Sequence, residues 1–214
     1  GTLLNLTLTT LLAYPLSRRD LPHRNVFSFI VFFTMLFNGG IVPSYIMWTQ
    51  YFHIKNTYAA LIIPNLMLGA FYVIMMRTNF SANIPEAVIE AAKIDGASEW
   101  RILSKLVLPM SLPIIATLTL MVGLQYWNDW TNGLYYITKN QDLYNIQNLL
   151  NQMVQNIQYL AQSSDANMAA AAAKIPTTGV QMAIAFVAIL PIMLIFPFFQ
   201  KYYAKGIALG AVKG

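Results

Sequence analysis

The chain has 214 residues, of which 57% are hydrophobic and only 10% charged, with a mean hydropathy of +0.52. That apolar surplus exceeds what a soluble domain carries and points to an integral membrane protein whose core is completed by lipid and neighbouring helices. The formal net charge of +5 is scattered between apolar runs, which argues against a nucleic-acid surface, while zero cysteines and two well-separated histidines, His23 and His53, exclude disulfides, thiol chemistry and a His/Cys metal site.

Charge-free runs locate the expected membrane spans, because about 20 apolar residues of helix cross the hydrocarbon and each central charge is costly. Residues 1–17 form the first run, which opens inside an apolar stretch with neither an initiator Met nor a basic leader, so the natural chain is expected to start earlier. Residues 25–54 form the second, long enough for a full span and an external turn around FNGGIVPSYIMW. Residues 56–76 make the third, residues 106–128 the fourth, entered through LPMSLP, and residues 175–200 the fifth, in which Pro191 and Pro197 predict kinks.

The basic residues orient these spans. One alternation of sides gathers Arg18, Arg19, Arg24, Arg77, Lys93, Arg101, Lys105, Lys201, Lys205 and Lys213 together and leaves Lys55, Lys139 and Lys174 opposite. Lys and Arg concentrate in cytoplasmic loops, so the larger set and the C-terminus are expected inside and residue 1 outside. One preceding span would bring both ends of the complete protein to the cytoplasm, so five helices of an expected six are read here.

Between the third and fourth runs lies EAAKIDGASEW, residues 90–100. With Glu90, Lys93, Asp95, Glu99, Arg101 and Lys105 in lipid, the cost would approach ~15–20 kcal/mol, so the segment must lie outside the bilayer core. Its pattern is nonetheless helical: Asn83 is placed to cap a helix with Pro85 in its first turn, and Ala87, Ala91 and Ile94 recur at helical spacing. Gly96 interrupts it. A second helix is expected beyond, with Trp100, Leu103, Leu106 and Val107 on one side and Glu99, Arg101 and Lys105 on the other. The result is a helical elbow on the cytoplasmic face, suited by its composition either to receive another protein or simply to join two spans along the interface.

The spacing of Glu90, Ala91, Ala92, Gly96, Leu106, Leu108 and Pro109 resembles the Glu-Ala-Ala signature of the inner-membrane permeases of ABC importers. QYWNDW at residues 125–130, PFFQKYYAKG and the ending GAVKG are similar to carbohydrate-uptake permeases of the maltose-type second permease family, in particular its LplC/YtcP-like branch. The resemblance covers nearly the whole chain. It implies an all-α, polytopic helical bundle forming one permease domain over residues 1–214, with residues 86–105 as a cytoplasmic coupling elbow and residues 129–178 as an extracellular loop. Within the elbow, Glu90, Ala91, Ala92, Asp95 and Gly96 are the expected contacts with an ATPase subunit.

The implied partners are a homologous second permease subunit, two ATPase subunits, an extracellular solute-binding protein, a carbohydrate substrate and membrane lipid. ATP and Mg are implied to be bound by the ATPase subunits, with no cofactor, metal or catalytic residue on this chain. GIALGAVKG lacks the glycine and lysine offsets of a phosphate-binding loop. The implied location is the bacterial inner (cytoplasmic) membrane, spanned several times, and the implied cycle is alternating access driven by ATPase closure.

A sugar path needs inward-facing polar and aromatic groups, and Asn38, Asn65, Gln125, Asn128 and Asp129 are the candidates. Each has a structural alternative: Asn38 beside Gly39 and Gly40 forms a turn, Asn65 bonds a neighbouring helix, and Asn128 with Asp129 marks the interface. Tyr45, Trp48, Trp127 and Trp130 are suited to stack on sugars, yet the same residues collect at membrane surfaces. Leu143, Ile146, Leu150, Val154, Ile157 and Leu160 form a stripe that predicts an amphipathic external helix. A secondary transporter or channel is the competing class on composition alone, whereas a membrane enzyme lacks any HExxH or Ser/His pairing within one leaflet.

Overall fold

The computed structural model describes residues 1–162 and 177–211, so the Ala-rich MAAAAAK segment, Lys174 and Lys213 lie outside the described residues. Among the described residues all regular structure is helical: α1 (Thr2–Ser17), α2 (Arg24–Leu36), α3 (Ile41–Ile46) running into a wider π turn (Met47–Tyr51), α4 (Tyr58–Ile62) and α5 (Ala70–Asn83). Then follow α6 (Glu86–Ile94), α7 (Glu99–Ile102) with a π turn (Leu103–Val107), α8 (Leu108–Met110), α9 (Leu112–Trp127), α10 (Thr131–Tyr136), a short 3-10 turn (Gln141–Leu143), α11 (Ile146–Gln162) and α12 (Thr177–Ala211).

Three of the five expected spans are interrupted. The second stops at Leu36, where Phe37 turns extended and the Asn38 side chain accepts a hydrogen bond from Gly40 N at 2.8 Å, the turn geometry that an Asn-Gly-Gly run favours. The third breaks between α4 and α5, where Pro64 supplies no N–H and Asn65 adopts a left-handed φ of 61°. The fourth bends by 82° between Glu99–Met110 and Leu112–Trp127, about the buried Ser111. Only residues 178–200 of α12 form, among the described residues, a helix that is by itself long and apolar enough to cross a membrane; the pairs Arg24–Leu36 with Ile41–Tyr51 and Glu99–Met110 with Leu112–Trp127 qualify when joined. Pro191 and Pro197 both sit inside α12, and the helix runs through them.

The chain divides into two compact units, residues 1–43, 65–126 and 199–214, and residues 44–64 and 127–198. In the first, α1 and α2 pack on α5. Ala13 and Leu16 of α1 meet Val73, Met76 and Phe80 of α5, and the core continues through Ile89 of α6, Ile102, Leu103 and Val107 beyond the elbow, and Leu118 of α9. α2 buries no residue, and Phe29, Ile30 and Leu36 stay more than half exposed. Such apolar surface is untenable in water and suited to lipid or to a partner helix.

The second unit has a small core of Ala60, Tyr136, Ile137 and Leu143. Asn56, left-handed at φ 59°, pins it: its Oδ1 accepts from Thr138 N at 2.7 Å and Lys139 N at 2.9 Å, and its N–H donates to Tyr136 O at 3.0 Å. α11 is the predicted external helix, and Leu143 and Leu150 of its stripe are buried, but Ile146 is exposed, and the inward face also includes Asn148, 3% exposed. Asn148 Nδ2 donates to Trp130 O at 2.5 Å, and a Cβ on Gly133 would fall 2.0 Å from its Oδ1, so glycine permits this approach. The side chain of Leu160 lies outside the described residues.

Candidate functional site

The elbow forms as a helix, a glycine bend and a second helix. α6 begins after Pro85, whose extended backbone occupies the cap, while Asn83 is the last residue of α5; the expected Asn83 cap is therefore corrected, because α5 persists to the residue before Ile84. α6 ends at Asp95 with N–H bonds back to Ala91 O and Lys93 O, and Gly96 follows at φ 76°, a left-handed conformation that costs a side-chain-bearing residue about 1–2 kcal/mol. Ser98 then caps α7, its Oγ accepting from Arg101 N at 3.4 Å.

The residues that meet the core define the faces of the elbow, and only Trp100 on the second limb departs from the side expected of it. Ile89 is the residue of α6 that enters the core, whereas Ala87 and Ala91 are exposed and Ile94 is 86% exposed. Their helical spacing marks the outward face. Beyond the bend, Ile102, Leu103 and Val107 are buried and Leu106 half-buried, but Trp100 is 67% exposed and leaves the predicted apolar side, because the core lies beneath Ile102. Of the five expected contacts, Glu90, Ala91, Asp95 and Gly96 are exposed, while Ala92 is half-buried against the core. Ile94 and Trp100, 86% and 67% exposed, add apolar area to the open side of the elbow.

A polar chain fastens the other side of the elbow to α1. Tyr14, 7% exposed, donates its hydroxyl to Glu99 Oε2 at 2.5 Å; Lys93 Nζ lies 2.9 Å from Glu99 Oε1 and 2.8 Å from Asp20 Oδ2; Asp20 also receives Arg18 Nη2 at 3.3 Å. The Lys93 hydrogen bond, aided by Arg18, pulls the Asp20 carboxyl down to about 2. The Tyr14 hydroxyl first, and Lys93 after it, hold Glu99 below the usual carboxylate range, and Asp20 and then Glu99 raise Lys93. All of these groups are therefore charged at neutral pH apart from the hydroxyl. Five groups, contributed by α1, the loop after it and both limbs of the elbow, thus hold the bend in one geometry.

The five path candidates have separate local surroundings. Asn38 belongs to the turn described above. Asn65 is exposed at the break before α5, and Asn128 is exposed at the end of α9. Gln125 Oε1 accepts from Tyr72 OH at 3.0 Å. Asp129 Oδ1 accepts from Thr131 N at 3.1 Å and Asn132 N at 3.2 Å, covering the free N–H groups of α10; burial pushes its carboxyl up and these bonds pull it back. Three aromatic candidates are likewise engaged: Tyr45 stacks on Tyr136 at 5.9 Å and receives Lys55 Nζ at 2.8 Å, Trp48 packs on Phe52 at 5.0 Å, and Trp127 Nε1 donates to Ala188 O at 3.0 Å, whereas Trp130 is 41% exposed.

Sequence reasoning passed over Asn5 and Asn132. At the break in the third run, Asn5 Nδ2 donates to Leu66 O at 2.6 Å and Asn132 Nδ2 to Pro64 O at 3.0 Å, both from fully or nearly fully buried side chains. Thr9 Oγ1 completes the first by donating to Asn5 Oδ1 at 3.1 Å. Carbonyls freed by unwinding must be satisfied inside the fold, and these amides do it. For Asn5 the available signal was an asparagine within an apolar run; Asn132, outside every run, offered none.

Comparison with known proteins places this geometry. Residues 6–209 match the family described as "Binding-protein-dependent transport system inner membrane component". The polygalacturonan/rhamnogalacturonan transport system permease protein YtcP of Bacillus subtilis (strain 168) is 40% identical over 214 residues, covering 100% of this chain and 73% of the relative. Protein LplC of the same organism is 36% identical over 214 residues, covering 100% of this chain and 70% of that one. A chain in the crystal structure of a bacterial ABC transporter involved in the import of the acidic polysaccharide alginate superposes with a TM-score of 0.73 at 27% identity, covering 94% of this chain and 71% of that one. With an all-helical fold among its described residues and a glycine-hinged elbow between helices, this chain belongs to the family of binding-protein-dependent transport system inner membrane components.

Proposed function

We propose that the chain is the permease subunit of an oligosaccharide importer, and that its elbow couples transport to separate ATPase subunits. The carrying observation is the asymmetry of residues 86–105: one side fastened to α1 through Tyr14, Glu99 and Lys93, the other presenting Glu90, Ala91, Ile94, Asp95 and Trp100 to solvent. A lever needs both a fixed side and a gripped side, and small residues beside two carboxylates allow close, oriented approach. The names of the relatives, which refer to polygalacturonan, rhamnogalacturonan and the acidic polysaccharide alginate, favour oligosaccharides from acidic polysaccharides as the substrate class.

In this reading each interrupted run is one crossing, and α1 and α12 are crossings too. The elbow and C-terminus face the cytoplasm and the 129–178 segment faces outward, where a solute-binding protein docks. A homologous second permease shares the path, ATP and Mg reside on the two ATPase subunits, and Asn38, Asn65, Gln125, Asn128 and Asp129 are the path candidates on this side. ATPase closure pushes on the elbow, and the fastening to α1 carries the push into the helices.

Residues 1–214 contain no cysteine, so Ile94→Cys introduces the sole thiol within them. In the purified transporter, a short thiol-to-amine crosslinker at this position should join the permease to the ATPase subunit, more efficiently with ATP bound. A thiol that maleimide labels freely in every nucleotide state yet never crosslinks would sink the reading, as would substrate uptake by membranes stripped of ATPase.

A further inference from the structure

Four arginines converge on a cavity of about 470 Å³ in the first unit, between the end of α1, the start of α2, the last turns of α5 and the start of α6. Arg18, Arg19, Arg24 and Arg77 line it, and Glu86 is the one carboxylate in its lining. That carboxylate is already engaged at the rim, 3.4 Å from Arg19 Nε. Arg18, its side chain 11% exposed, spends Nη2 on Asp20 but keeps Nε buried without a partner among the described groups. Arg77 spends Nε on Leu16 O at 3.1 Å, and burial and then the Arg24 charge both work against its ionised form.

A second observation converges from α2. Arg24 is the first residue of that 13-residue helix, whose first turn holds no acid and whose cap makes no side-chain hydrogen bond. A cation at the positive end of a helix dipole is the unfavourable arrangement, and anions are what such ends attract. Three guanidinium groups and a helix terminus therefore face one polar space with too little negative charge. Guanidinium forks match phosphate oxygens, and basic pockets between membrane helices on the cytoplasmic side suit anionic headgroups.

We propose that this cavity binds a phosphate-bearing anion, supplied either by an anionic phospholipid headgroup or by soluble phosphate. The bound anion links the α1–α2 connection to the start of the elbow through Arg19 and Glu86, so its occupancy stiffens the base on which the elbow pivots. This site is separate from the ATPase-facing surface and stands or falls without it.

The test uses the transporter complex purified through this chain, in nanodiscs of phosphatidylcholine with and without phosphatidylglycerol, and in phosphatidylcholine alone with inorganic phosphate. Binding is read by native mass spectrometry and by thermal stability. Arg24→Gln removes a side chain that makes no ion pair among the described residues and leaves the core untouched; Arg101→Gln removes an exposed elbow arginine outside the cavity and serves as the control. Arg24→Gln should weaken binding of the effective probe about fivefold, and Arg101→Gln should leave it within about twofold. Phosphatidylglycerol dependence without a phosphate effect assigns the site to lipid, and stabilisation by inorganic phosphate in phosphatidylcholine assigns it to the soluble ion. Equal binding by wild type and Arg24→Gln of both probes, or an equal loss in Arg101→Gln, overturns the proposal.

Discussion

Replacing Tyr14 with phenylalanine removes one hydroxyl and keeps the ring that fills the core of the first unit. The hydroxyl donates to Glu99 Oε2 at 2.5 Å from a ring 7% exposed, while the Glu99 side chain is 53% exposed. A hydrogen bond to an ionised group contributes about 1.5–3 kcal/mol, and water at a half-exposed carboxylate offsets part of its loss, so Tyr14→Phe should cost about 1 kcal/mol. Glu99→Gln weakens the same bond and the Lys93 pair at 2.9 Å, a surface pair that adds up to about 1 kcal/mol. Because both substitutions act on one shared contact, the double variant should fall short of the summed losses by about 0.5–1 kcal/mol. SDS titration of the transporter in mixed micelles measures the cycle, and stimulation of ATP hydrolysis by substrate-loaded binding protein should fall in both single variants. Additivity within about 0.3 kcal/mol would show that the hydroxyl does not anchor the elbow and would refute the lever argument at its fixed end.

The same network has a pH window. Glu99 and Asp20 have lowered values in the fold, so their contributions are present above their ordinary values of 4.5 and 3.8 and are lost as pH falls through the lowered ones, for Asp20 about 2. Lys93 is raised, so its contribution is present below 10.5 and is lost as pH rises through the raised value. The elbow should therefore be held uniformly between about pH 5 and 10 and loosen on the acid side first, visible below about pH 4 as lower amide protection in α6 relative to the intrinsic exchange rate at each pH. Gly96 sits at φ 76° with open space where a Cβ would project, so Gly96→Val should lose coupling through backbone strain of about 1–2 kcal/mol while Gly96→Asn retains most of it; equal transport by the two variants would remove the bend from the mechanism. Asn5→Leu and Asn132→Leu each leave a carbonyl unmet at the 63–69 break and should cost about 1–3 kcal/mol in SDS titrations, whereas a change under about 0.3 kcal/mol would mean that the break is self-sufficient. Asp129→Ala removes two N–H acceptors at α10 and should cost about 1–2 kcal/mol with little change in which sugar is transported, while an unchanged stability with altered selectivity would return Asp129 to the path.

The elbow was legible because its signals are local. Six charges within one short stretch cannot sit in lipid, Gly96 stands where a left-handed residue is required, and the Glu-Ala-Ala spacing lies between two apolar runs. The outward placement of Glu90, Ala91, Asp95 and Gly96 agrees with their reading as contacts, but Ile89 as the residue of α6 that meets the core, and Trp100 turning out, were not legible, because both depend on which elements pack beneath the elbow. The breaks were hidden for a different reason. An apolar run reads the same whether its helix is continuous or unwound, and the groups that make unwinding tolerable come from far along the chain, Asn5 from 61 residues away and Asn132 from 68.

Those distant donors also bear on the path candidates. In a chain this poor in polar residues, a buried amide or carboxylate is first needed wherever backbone groups lose their helical partners, and only what remains can meet a substrate. Asn5, Asn132 and Asp129 are committed to backbone atoms, and Gln125 to Tyr72. Asn65 and Asn128 are different: both are exposed, one at an unwound segment and one at a helix end. Under the proposed function, Asn65 and Asn128, each within its own unit, are therefore the candidates whose side chains stay open to a hydroxyl-rich solute, and the break at which Asn65 stands is the one whose carbonyls Asn5 and Asn132 satisfy.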